Sequence, residues 1–295
     1  MTEPARERVV GVIGGSGVYD IQGLEDTRWA AVESPFGAPS DELLFGRLGG
    51  TRLVFLPRHG RGHPIPPGEI NFRANIDAMK RAGVTDIVSV GAVGSLKEHL
   101  PPGTFVLVDQ YIDRTFAREK TFFGTGLVVH VSMADPVCAR LRDTLEGVLK
   151  RQGVSCQMGG TYLSMEGPQF STLAESELYR SWGCDVIGMT GMPEAKLARE
   201  AEICYAGVAM VTDFDCWHPD HDAVTVDAVV ATLLANADQG RALVKEAAPQ
   251  IAGDGKPCPH GCDHALDNAV ITAPEARDPA LMARLDAVAG RVLKR

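Results

Sequence analysis

The chain has 295 residues, of which 45% are hydrophobic and 23% charged, a balance typical of a globular protein long enough to bury a large core. Its formal net charge of −9 and its lack of a Lys/Arg block exclude a nucleic-acid surface, which needs clustered basic residues. Because the sequence shows neither a leader pattern nor an apolar run approaching about 18 residues, we predict a cytoplasmic protein without a membrane partner.

Short apolar runs alternate with helical stretches along the chain. Strands are predicted at residues 8–13, 52–56, 86–90, 104–108, 159–164, 186–188 and 202–211, and helices at residues 71–82, 136–152, 173–182, 194–200, 226–247 and 279–293. This alternation predicts a single α/β domain, residues 1–295, whose mixed or largely parallel central sheet is covered by helices on both faces. Residues 248–295 are left open between a lid and an interface segment.

Glycine and polar residues follow several predicted strands, at the sheet edge where open α/β sheets bind ligands. Gly14-Gly-Ser16-Gly17 could bring backbone N–H groups and a hydroxyl close to an anion, or form a simple tight turn. Arg58 and His59 combine a guanidinium with an imidazole, which suits a phosphate or carboxylate, although a surface ion pair is the alternative. The amide of Ala92 would face the same anion or lie in a small-residue turn.

The apolar run 203–211 ends in two carboxylates one residue apart, Asp213 and Asp215. In an extended chain residues i and i+2 share a face, so both are expected to point the same way. The flanking Phe214 and Trp217 indicate a partly dry site, in which one carboxyl can hold a proton while the other accepts hydrogen bonds. A helix N-cap or a solvated turn is the plainer alternative. We predict that the pair recognises one planar group.

In order, these segments resemble the trimeric purine nucleoside phosphorylase superfamily, and within it the enzymes that cleave S-methyl-5′-thioadenosine. The resemblance runs from Val10 to Glu246, and its motifs are Ile13-Gly-Gly-Ser-Gly17, Pro35-Phe-Gly-Ala-Pro-Ser40, Arg58-His-Gly60, Asn71-Phe-Arg-Ala-Asn75, Gly94-Ser-Leu96, Asp109-Gln-Tyr-Ile-Asp-Arg-Thr115, Glu166-Gly-Pro-Gln-Phe170, Met189-Thr190, Pro193-Glu194 and Thr212-Asp-Phe-Asp-Cys-Trp217.

The resemblance implies a homotrimer with a nucleoside-phosphorylase-like fold that acts in purine and methionine salvage. Phosphate would attack C1′ of S-methyl-5′-thioadenosine and release adenine and 5-methylthioribose 1-phosphate, with no metal or organic cofactor. The alternative is a broad-specificity purine nucleoside phosphorylase acting on adenosine or inosine. A nucleosidase that uses water is a further alternative, against which the Arg58-His59 pair argues.

By similarity, phosphate is held by Ser16, Arg58, His59, the backbone of Ala92 and Thr190. The predicted substrate-binding residues are Phe170, Ser171, Met189, Asp213, Asp215, Val226, Val229, Val230 and, from a neighbouring subunit, His130. Asp213 and Asp215 are the predicted catalytic pair and would face N7 and the 6-amino group of adenine. Taken singly, Met189, Phe170 and His130 would be packing or interior residues.

Two glycines depart from the pattern that the resemblance provides. Gly91 stands where the eukaryotic members have a threonine that reaches phosphate, and Gly188 replaces a larger polar residue beside the ribose contact. These differences leave the fine specificity open.

Seven cysteines are scattered along the chain, as expected of reduced thiols in the cytoplasm. The segment Cys258-Pro-His260-Gly-Cys262-Asp-His264 alone resembles a cluster. It could bind zinc through two thiols and two imidazoles, or form a disulfide like the redox-active pair near the same end of some related phosphorylases from heat-loving organisms. The sequence favours free thiols over either, and we predict no metal site.

Overall fold

The computed structural model describes residues 7–15, 17, 18, 20–219, 226–253, 255 and 257–293, and for residues 226–231, 233 and 235 it describes the backbone alone. The predicted Ser16 therefore lies outside the described residues, as do the side chains of Val226, Val229 and Val230. No helix in the described part of the chain has the length and apolarity needed to cross a membrane.

A mixed sheet of eleven strands forms the centre of the described structure. The strands are β1 (Val10–Gly14), β2 (Glu25–Ala30), β3 (Leu43–Leu48), β4 (Thr51–Pro57), β5 (Asp86–Ser95), β6 (Phe105–Leu107), β7 (Gln110–Asp113), β8 (Cys156–Met158), β9 (Thr161–Ser164), β10 (Val186–Gly188) and β11 (Cys204–Asp213). The main path through the sheet is β2-β3-β4-β1-β5-β10-β9-β7, and β11 joins β5 to β6, which in turn pairs with β8. The predicted α/β fold is confirmed.

Helices cover both faces of this sheet. They are α1 (Phe72–Arg81), α2 (Ala139–Arg151), α3 (Leu173–Ser181), α4 (Gly191–Glu200), α5 (Val226–Ala252), α6 (Pro279–Arg284) and α7 (Gly290–Leu293). One core lies between the sheet and α2 with α5, and the other between the sheet and α1 with α4. Along β1 the side chains of Val10 and Val12 enter the first core and Ile13 the second, as the two-residue period of a strand requires.

β5 is the strand around which the sheet is organised. Residues 86–89 pair in parallel with β1, residues 86–94 pair in parallel with β11, and the last two residues pair antiparallel with β10. The carboxyl ends of β1, β4, β5 and β11 therefore meet at one edge of the sheet. This edge is where the polar segments of the sequence are expected to gather.

Local capping fixes where two helices begin beside this edge. The side chain of Asn71 accepts a hydrogen bond from the N–H of Ala74 at the start of α1. Thr172 and Glu175 form a reciprocal capping box at the start of α3. Such caps each stabilise a helix by about 0.5–2 kcal/mol. The capping box also fixes the end of the loop that carries Phe170 and Ser171.

Several elements differ from the sequence-based prediction. Four strands were not predicted: β2, β3, β7 and β8. The helix expected over residues 279–293 is two short helices, α6 and α7, separated by residues 285–289. The C-terminal segment packs on the domain, since Leu266, Leu285 and Val288 are buried in the core that contains α1 and α4. Its predicted role as a lid or an interface stays a prediction.

Candidate active site

Arg58 follows β4 and is buried at the carboxyl edge of the sheet. Its backbone N–H donates to Gly14 O at 2.9 Å, so the segment after β4 is joined to the end of β1. Its side chain is only 2% exposed, and Nε donates to Glu194 Oε2 at 2.9 Å. The ion pair that the sequence left open as an alternative therefore exists, but it is buried.

Most donors of the Arg58 guanidinium are used within the protein. Nη2 lies 2.7 Å from Ser89 Oγ and 3.2 Å from Ile13 O, and Nη1 donates to Val90 O at 3.1 Å. An arginine has five N–H groups, two of them on Nη1. Nη1 thus has a second N–H, and this nitrogen is the part of the fork that approaches the predicted anion site. Arg58 can therefore offer an anion only this remaining N–H and not two parallel hydrogen bonds.

Gly91 lies where Arg58 and Thr190 converge. A Cβ placed on Gly91 would be 3.6 Å from Arg58 Nη1 and 4.0 Å from Thr190 Oγ1, both ordinary contact distances. Thr190 precedes α4, and its side chain makes no cap hydrogen bond to that helix. Gly91 therefore leaves space between the guanidinium of Arg58 and the hydroxyl of Thr190. The backbone of Ala92 is next to this space on the same strand.

Glu194 organises the Arg58 side of the site, although the sequence analysis assigned it no role. Its carboxylate is 1% exposed and accepts from Arg58, from Ser89 Oγ at 2.5 Å and from Tyr205 Oη at 2.9 Å. Buried charges are tolerated in proteins when they are paired and fully hydrogen-bonded, as this one is. Glu194 thus fixes the position and orientation of Arg58.

His59 is held as a neutral imidazole next to Arg58. Its Nδ1 lies 2.8 Å from Ile65 O, and because a carbonyl can only accept, Nδ1 carries the proton. Burial, together with the charges of Arg58 and His63, lowers the pKa of His59 to about 4. The His63 ring stacks on it at 4.0 Å between centroids. At neutral pH, Nε2 of His59 is therefore an acceptor, able to take a hydrogen bond from a protonated oxyanion.

The lowered pKa of His59 predicts a pH dependence of stability. Below about pH 6.5 the unfolded chain binds a proton at this histidine and the folded chain does not, so the free energy of unfolding falls as the pH decreases towards 4. We expect a loss of about 1–2 kcal/mol at pH 5 relative to pH 7.5. Urea unfolding of wild type and His59→Asn at both pH values measures it, since the variant lacks the titrating ring. Equal pH slopes for the two proteins would contradict this assignment.

The two aspartates lie at and just beyond the end of β11. Asp213 is the last residue of the strand, whereas Asp215 adopts a left-handed backbone conformation with φ 52°. The expected extended geometry therefore does not continue to Asp215. The carboxylate of Asp213 closes a local turn by accepting the N–H of Asp215 at 2.8 Å. The plainer alternative, a turn built by an acidic side chain, is thus present together with the acid pair.

Both carboxyl groups have raised pKa values, and burial is the main cause. For Asp213 the negative charge of Asp215 adds to the effect of burial, while hydrogen bonds from Thr212 and the Asp215 N–H oppose it. For Asp215, the neighbouring polar groups of Ser176, Cys216 and Ser171 oppose the effect of burial. The predicted partly dry site, in which one acid can hold a proton, is what these directions describe.

Thr212 lies against one carboxylate oxygen of Asp213. Its Oγ1 is 2.7 Å from Asp213 Oδ2 and 3.2 Å from Val93 O, and a hydroxyl has one proton to donate. When Thr212 donates to Asp213 Oδ2 it stabilises the ionised carboxylate, which is the effect that opposes burial. When it donates to Val93 O instead, that opposition is removed.

Gly94 allows the acid pair to lie against β5. A Cβ on Gly94 would be 2.9 Å from Asp213 Oδ1 and 3.3 Å from the Cβ of Asp215. The first of these distances is shorter than real Cβ contacts, so any side chain here would displace the carboxylate. Two glycines of β5 thus make room for polar side chains. Gly91 does so for Arg58 and Thr190, and Gly94 does so for Asp213 and Asp215.

The loop before α3 is tied to the acid pair. Cys216 Sγ contacts Ser171 O at 3.4 Å, and the Ser171 side chain interacts with Asp215. Phe170 is 45% exposed, which is unusual for a large aromatic residue and leaves its ring available to a ligand. The structure therefore places Ser171 beside the acids, and the predicted role of Phe170 stays a prediction.

Arg118 holds the loop that carries Met189, and the sequence analysis did not single it out. Nη1 donates to the carbonyls of Met189 and Met192 at 2.5 and 2.9 Å, and Nη2 to Glu166 O at 2.6 Å. Nε pairs with Glu166 Oε1 at 2.9 Å. Met189, whose side chain packs over Gly167, is thereby fixed next to Thr190. Nothing in the local sequence distinguishes Arg118 from a surface arginine.

Gly188 has a steric explanation in this chain. A side chain at this position would overlap the hydroxyl of Tyr162, which fills the space. The rings of Tyr162 and Tyr111 pack with centroids 5.4 Å apart beside Arg58 and Thr190. With Arg58 and Thr190 they line a cavity of about 20 Å³, the size of one water molecule. This cavity is too small to be the substrate pocket.

Two other observations concern the predicted residues. His130 is exposed, and its backbone N–H donates to Ala269 O at 3.0 Å, which joins it to the C-terminal segment. Its role across a subunit boundary stays a prediction. A cavity of about 500 Å³ has none of the predicted site residues in its lining, which includes Arg142, Arg199 and Cys262.

Comparison with known proteins places this arrangement in a family. The family model described as the phosphorylase superfamily matches residues 9–249. The chain belongs to the phosphorylase superfamily. The predictions of the family and of a phosphorylase activity are thereby confirmed.

Relatives and solved structures agree with this membership. The chain is 65% identical to the S-methyl-5′-thioadenosine phosphorylase of Rhodospirillum rubrum over 99% of this chain and 100% of that one. A methylthioadenosine phosphorylase from an antarctic soil metagenomic library superposes with a TM-score of 0.90 at 46% identity, covering 96% of this chain and 99% of the other. A doubly substituted adenosine/methylthioadenosine phosphorylase from Schistosoma mansoni in complex with adenine gives 0.84 at 36% identity, with 90% and 100% coverage.

Proposed function

We propose that this protein catalyses the phosphorolysis of S-methyl-5′-thioadenosine to adenine and 5-methylthioribose 1-phosphate. The observation that carries the proposal is the pair of carboxyl groups with raised pKa values against Gly94, next to the donors around Gly91. The names of the similar phosphorylases support the same substrate. The proposed setting is the cytoplasm, with roles in purine and methionine salvage.

The acid pair would recognise the purine and assist its departure. Asp215 accepts from the 6-amino group of adenine, and a 6-keto oxygen at that place would meet it lone pair to lone pair. Protonated Asp213 donates to N7 as the C1′–N9 bond breaks and the sugar gains oxocarbenium character. A donor aimed at charge that develops only in the transition state lowers the barrier more than it strengthens substrate binding.

Phosphate would bind between Gly91 and His59. The proposed donors are Arg58 Nη1, the Thr190 hydroxyl, the Ala92 amide and Ser16. Arg58 and Glu194 together carry no net charge, so oriented N–H and O–H groups contribute more to the anion site than excess positive charge. Neutral His59 accepts a hydrogen bond from the hydroxyl group that phosphate retains at neutral pH. This leaves another phosphate oxygen free to attack C1′.

The methylthio group would contact the start of α5, with Val226, Val229 and Val230, and His130 of a neighbouring subunit. We therefore propose a homotrimer with the site at a subunit boundary. Burying one group of this size changes specificity by about 1–3 kcal/mol, so adenosine should be a poorer substrate rather than an inactive one. The proposed reaction needs inorganic phosphate as co-substrate and no organic or metal cofactor.

An activity assay with three nucleosides tests the proposal. S-methyl-5′-thioadenosine, adenosine and inosine are each incubated with and without phosphate, and released base and sugar phosphate are quantified. We expect activity in that order, and only with phosphate present. Base release that is independent of phosphate would indicate a nucleosidase, and a preference for inosine would indicate the broad-specificity alternative; either result would contradict the proposal.

Gly94→Ala is expected to reduce turnover by about tenfold to 100-fold, because the new methyl group displaces Asp213 from its position against β5. Gly240→Ala is the matched control outside the proposed site, since its Cβ would make only ordinary contacts. Steady-state kinetics of the two variants, with far-UV circular dichroism to verify folding, measure the difference. Equal turnover in both variants would mean that Asp213 does not act from this position.

A further inference from the structure

Four of the seven cysteines, distant in sequence, meet in the interior of the domain. The sulfur atoms of Cys138, Cys204, Cys258 and Cys262 all lie within 4.8 Å of one another. Cys138 Sγ and Cys258 Sγ are 3.6 Å apart. All four side chains are buried in the core formed by α2 and α5 against the sheet.

The fold supplies these thiols as two preformed pairs. Cys138 directly precedes α2 and Cys204 begins β11, and the N–H of Cys138 donates to Tyr205 O at 2.8 Å. Cys258 and Cys262 lie in a turn in which Cys258 O accepts from the N–H of Gly261, whose φ is 67°. The left-handed conformation there favours glycine.

Asp263 closes the same turn from the other side. Its Oδ2 accepts the backbone N–H of Cys258 at 2.9 Å, across the turn that carries both thiols. The second pair is thus held by hydrogen bonds at both ends, independently of any ligand. This pair comes from the C-terminal segment and the first from the body of the domain, so the two pairs meet at the junction between them.

The spacing of the sulfur atoms fits a tetrahedral metal ion. With Zn–S bonds of about 2.3 Å, the edges of a tetrahedral site with four sulfur ligands are about 3.8 Å. A disulfide bond is about 2.05 Å long, far shorter than the 3.6 Å between Cys138 Sγ and Cys258 Sγ. We propose that Cys138, Cys204, Cys258 and Cys262 bind one zinc ion in a closed structural site. Four protein ligands leave no open position for substrate, so the ion would stabilise the fold and take no part in catalysis.

Two arginines lie next to the thiols. Zinc bound by four thiolates carries a net charge of −2, and binding releases up to four protons to solvent. Arg140 interacts with Cys204 and Cys138, and Arg8 interacts with Cys204. Both arginines also pair with the buried Asp86, and Asp263 is a second carboxylate beside Cys258, so the arginines offset only part of the charge of the site.

The cluster replaces the grouping that the sequence suggested. His260 is exposed, and His264 contacts Asp267, so the two imidazoles of residues 258–264 are not among the four converging groups. The partners of Cys258 and Cys262 are instead the two thiols from the body of the domain, Cys138 and Cys204. The cavity of about 500 Å³ that is lined by His260, Gly261 and Cys262 reaches the cluster and offers an entry path for the ion.

Metal analysis of the full-length protein tests the inference. The protein is prepared without chelator and without a metal-affinity tag, and zinc is measured by inductively coupled plasma mass spectrometry. We expect about one zinc per chain, and removal of the metal should lower Tm by roughly 5–10 °C. Replacing zinc by Co²⁺ should give the thiolate-to-cobalt absorption of a tetrahedral sulfur site. Less than about 0.1 zinc per chain, with no uptake by the reduced metal-free protein, would overturn the inference.

A thiol count separates metal binding from a disulfide. After denaturation with chelator and without reductant, all seven cysteines should react, whereas each disulfide would remove two. Cys258→Ser should lose the bound zinc, and Cys184→Ser is the matched control, because Cys184 is buried but outside the cluster. If Cys258→Ser does not fold, chelation of the wild type decides alone. A disulfide count, or full zinc in Cys258→Ser, would contradict the proposal.

Discussion

Asp213→Asn is expected to lower kcat for S-methyl-5′-thioadenosine by about 100-fold to 10,000-fold, the range in which general acids contribute. An amide can still form a hydrogen bond to N7 of the purine but cannot transfer a proton to it. Burial of Asp213 and the neighbouring charge of Asp215 raise the pKa of Asp213, and these are the features of the wild-type site that favour the proton-bearing form. The wild-type rate should accordingly decrease as the pH rises past that pKa, because the acid then loses its proton.

Substitution of the second acid should change which base is preferred. An amide donates as well as accepts, so Asp215→Asn, at the residue proposed to face the 6-substituent, should lose less activity on inosine, whose 6-keto oxygen needs a donor. Kinetics on the three nucleosides at saturating phosphate measure the ratio. Asp143→Asn, at an exposed position of α2, controls for the loss of one negative charge. An unchanged ratio of adenine to hypoxanthine nucleosides would show that the base site has been misassigned.

Arg58→Ala is expected to have the largest effect on stability, because it leaves Glu194 as a buried carboxylate without its cation. Breaking one side of a buried ion pair typically costs about 3–5 kcal/mol in the free energy of unfolding. The variant also loses a donor to phosphate, for which we expect the KM for phosphate to rise about tenfold to 100-fold. Urea unfolding and kinetics at varied phosphate measure the two effects separately.

The double variant Arg58→Met/Glu194→Gln distinguishes structure from function at this position. Replacing both members of a buried pair by neutral groups of similar volume is often nearly neutral for stability. The glutamine oxygen can still accept from Ser89 and Tyr205, which contact Glu194 in the wild type. We expect recovered stability with a KM for phosphate that stays raised. If phosphate saturation recovers as well, Arg58 positions the fold and does not bind the anion.

The central strands were predictable because their residues are buried on both faces. β1, β4, β5 and β11 are apolar over nearly their full length, which marks a strand in the middle of a covered sheet. β2 is largely exposed and its sequence, Glu25–Ala30, carries no apolar alternation. β8 has only three residues, so its pairing with β6 depends on tertiary context rather than on local pattern.

The composition of the site was predictable, but its geometry was not. Arg58 and Glu194 are 136 residues apart, and no local signal reveals that they form a buried ion pair. The position of Asp215 depends on a left-handed backbone at a single residue, which an extended template does not anticipate. Likewise, the sulfur atoms of Cys138 and Cys258 meet across 120 residues of chain, whereas the sequence drew attention to neighbouring histidines.

β5 carries both halves of the proposed site on one stretch of backbone, with Gly91 beside the anion donors and Gly94 under the acids. Three residues of strand span about 10 Å, and the paired neighbours of β5 prevent that length from changing. The distance between nucleophile and departing base is therefore set by covalent geometry before any ligand arrives. A change of substrate specificity in this fold would therefore have to come from side chains around Gly91 or around Gly94, because the length of β5 between these two glycines does not change.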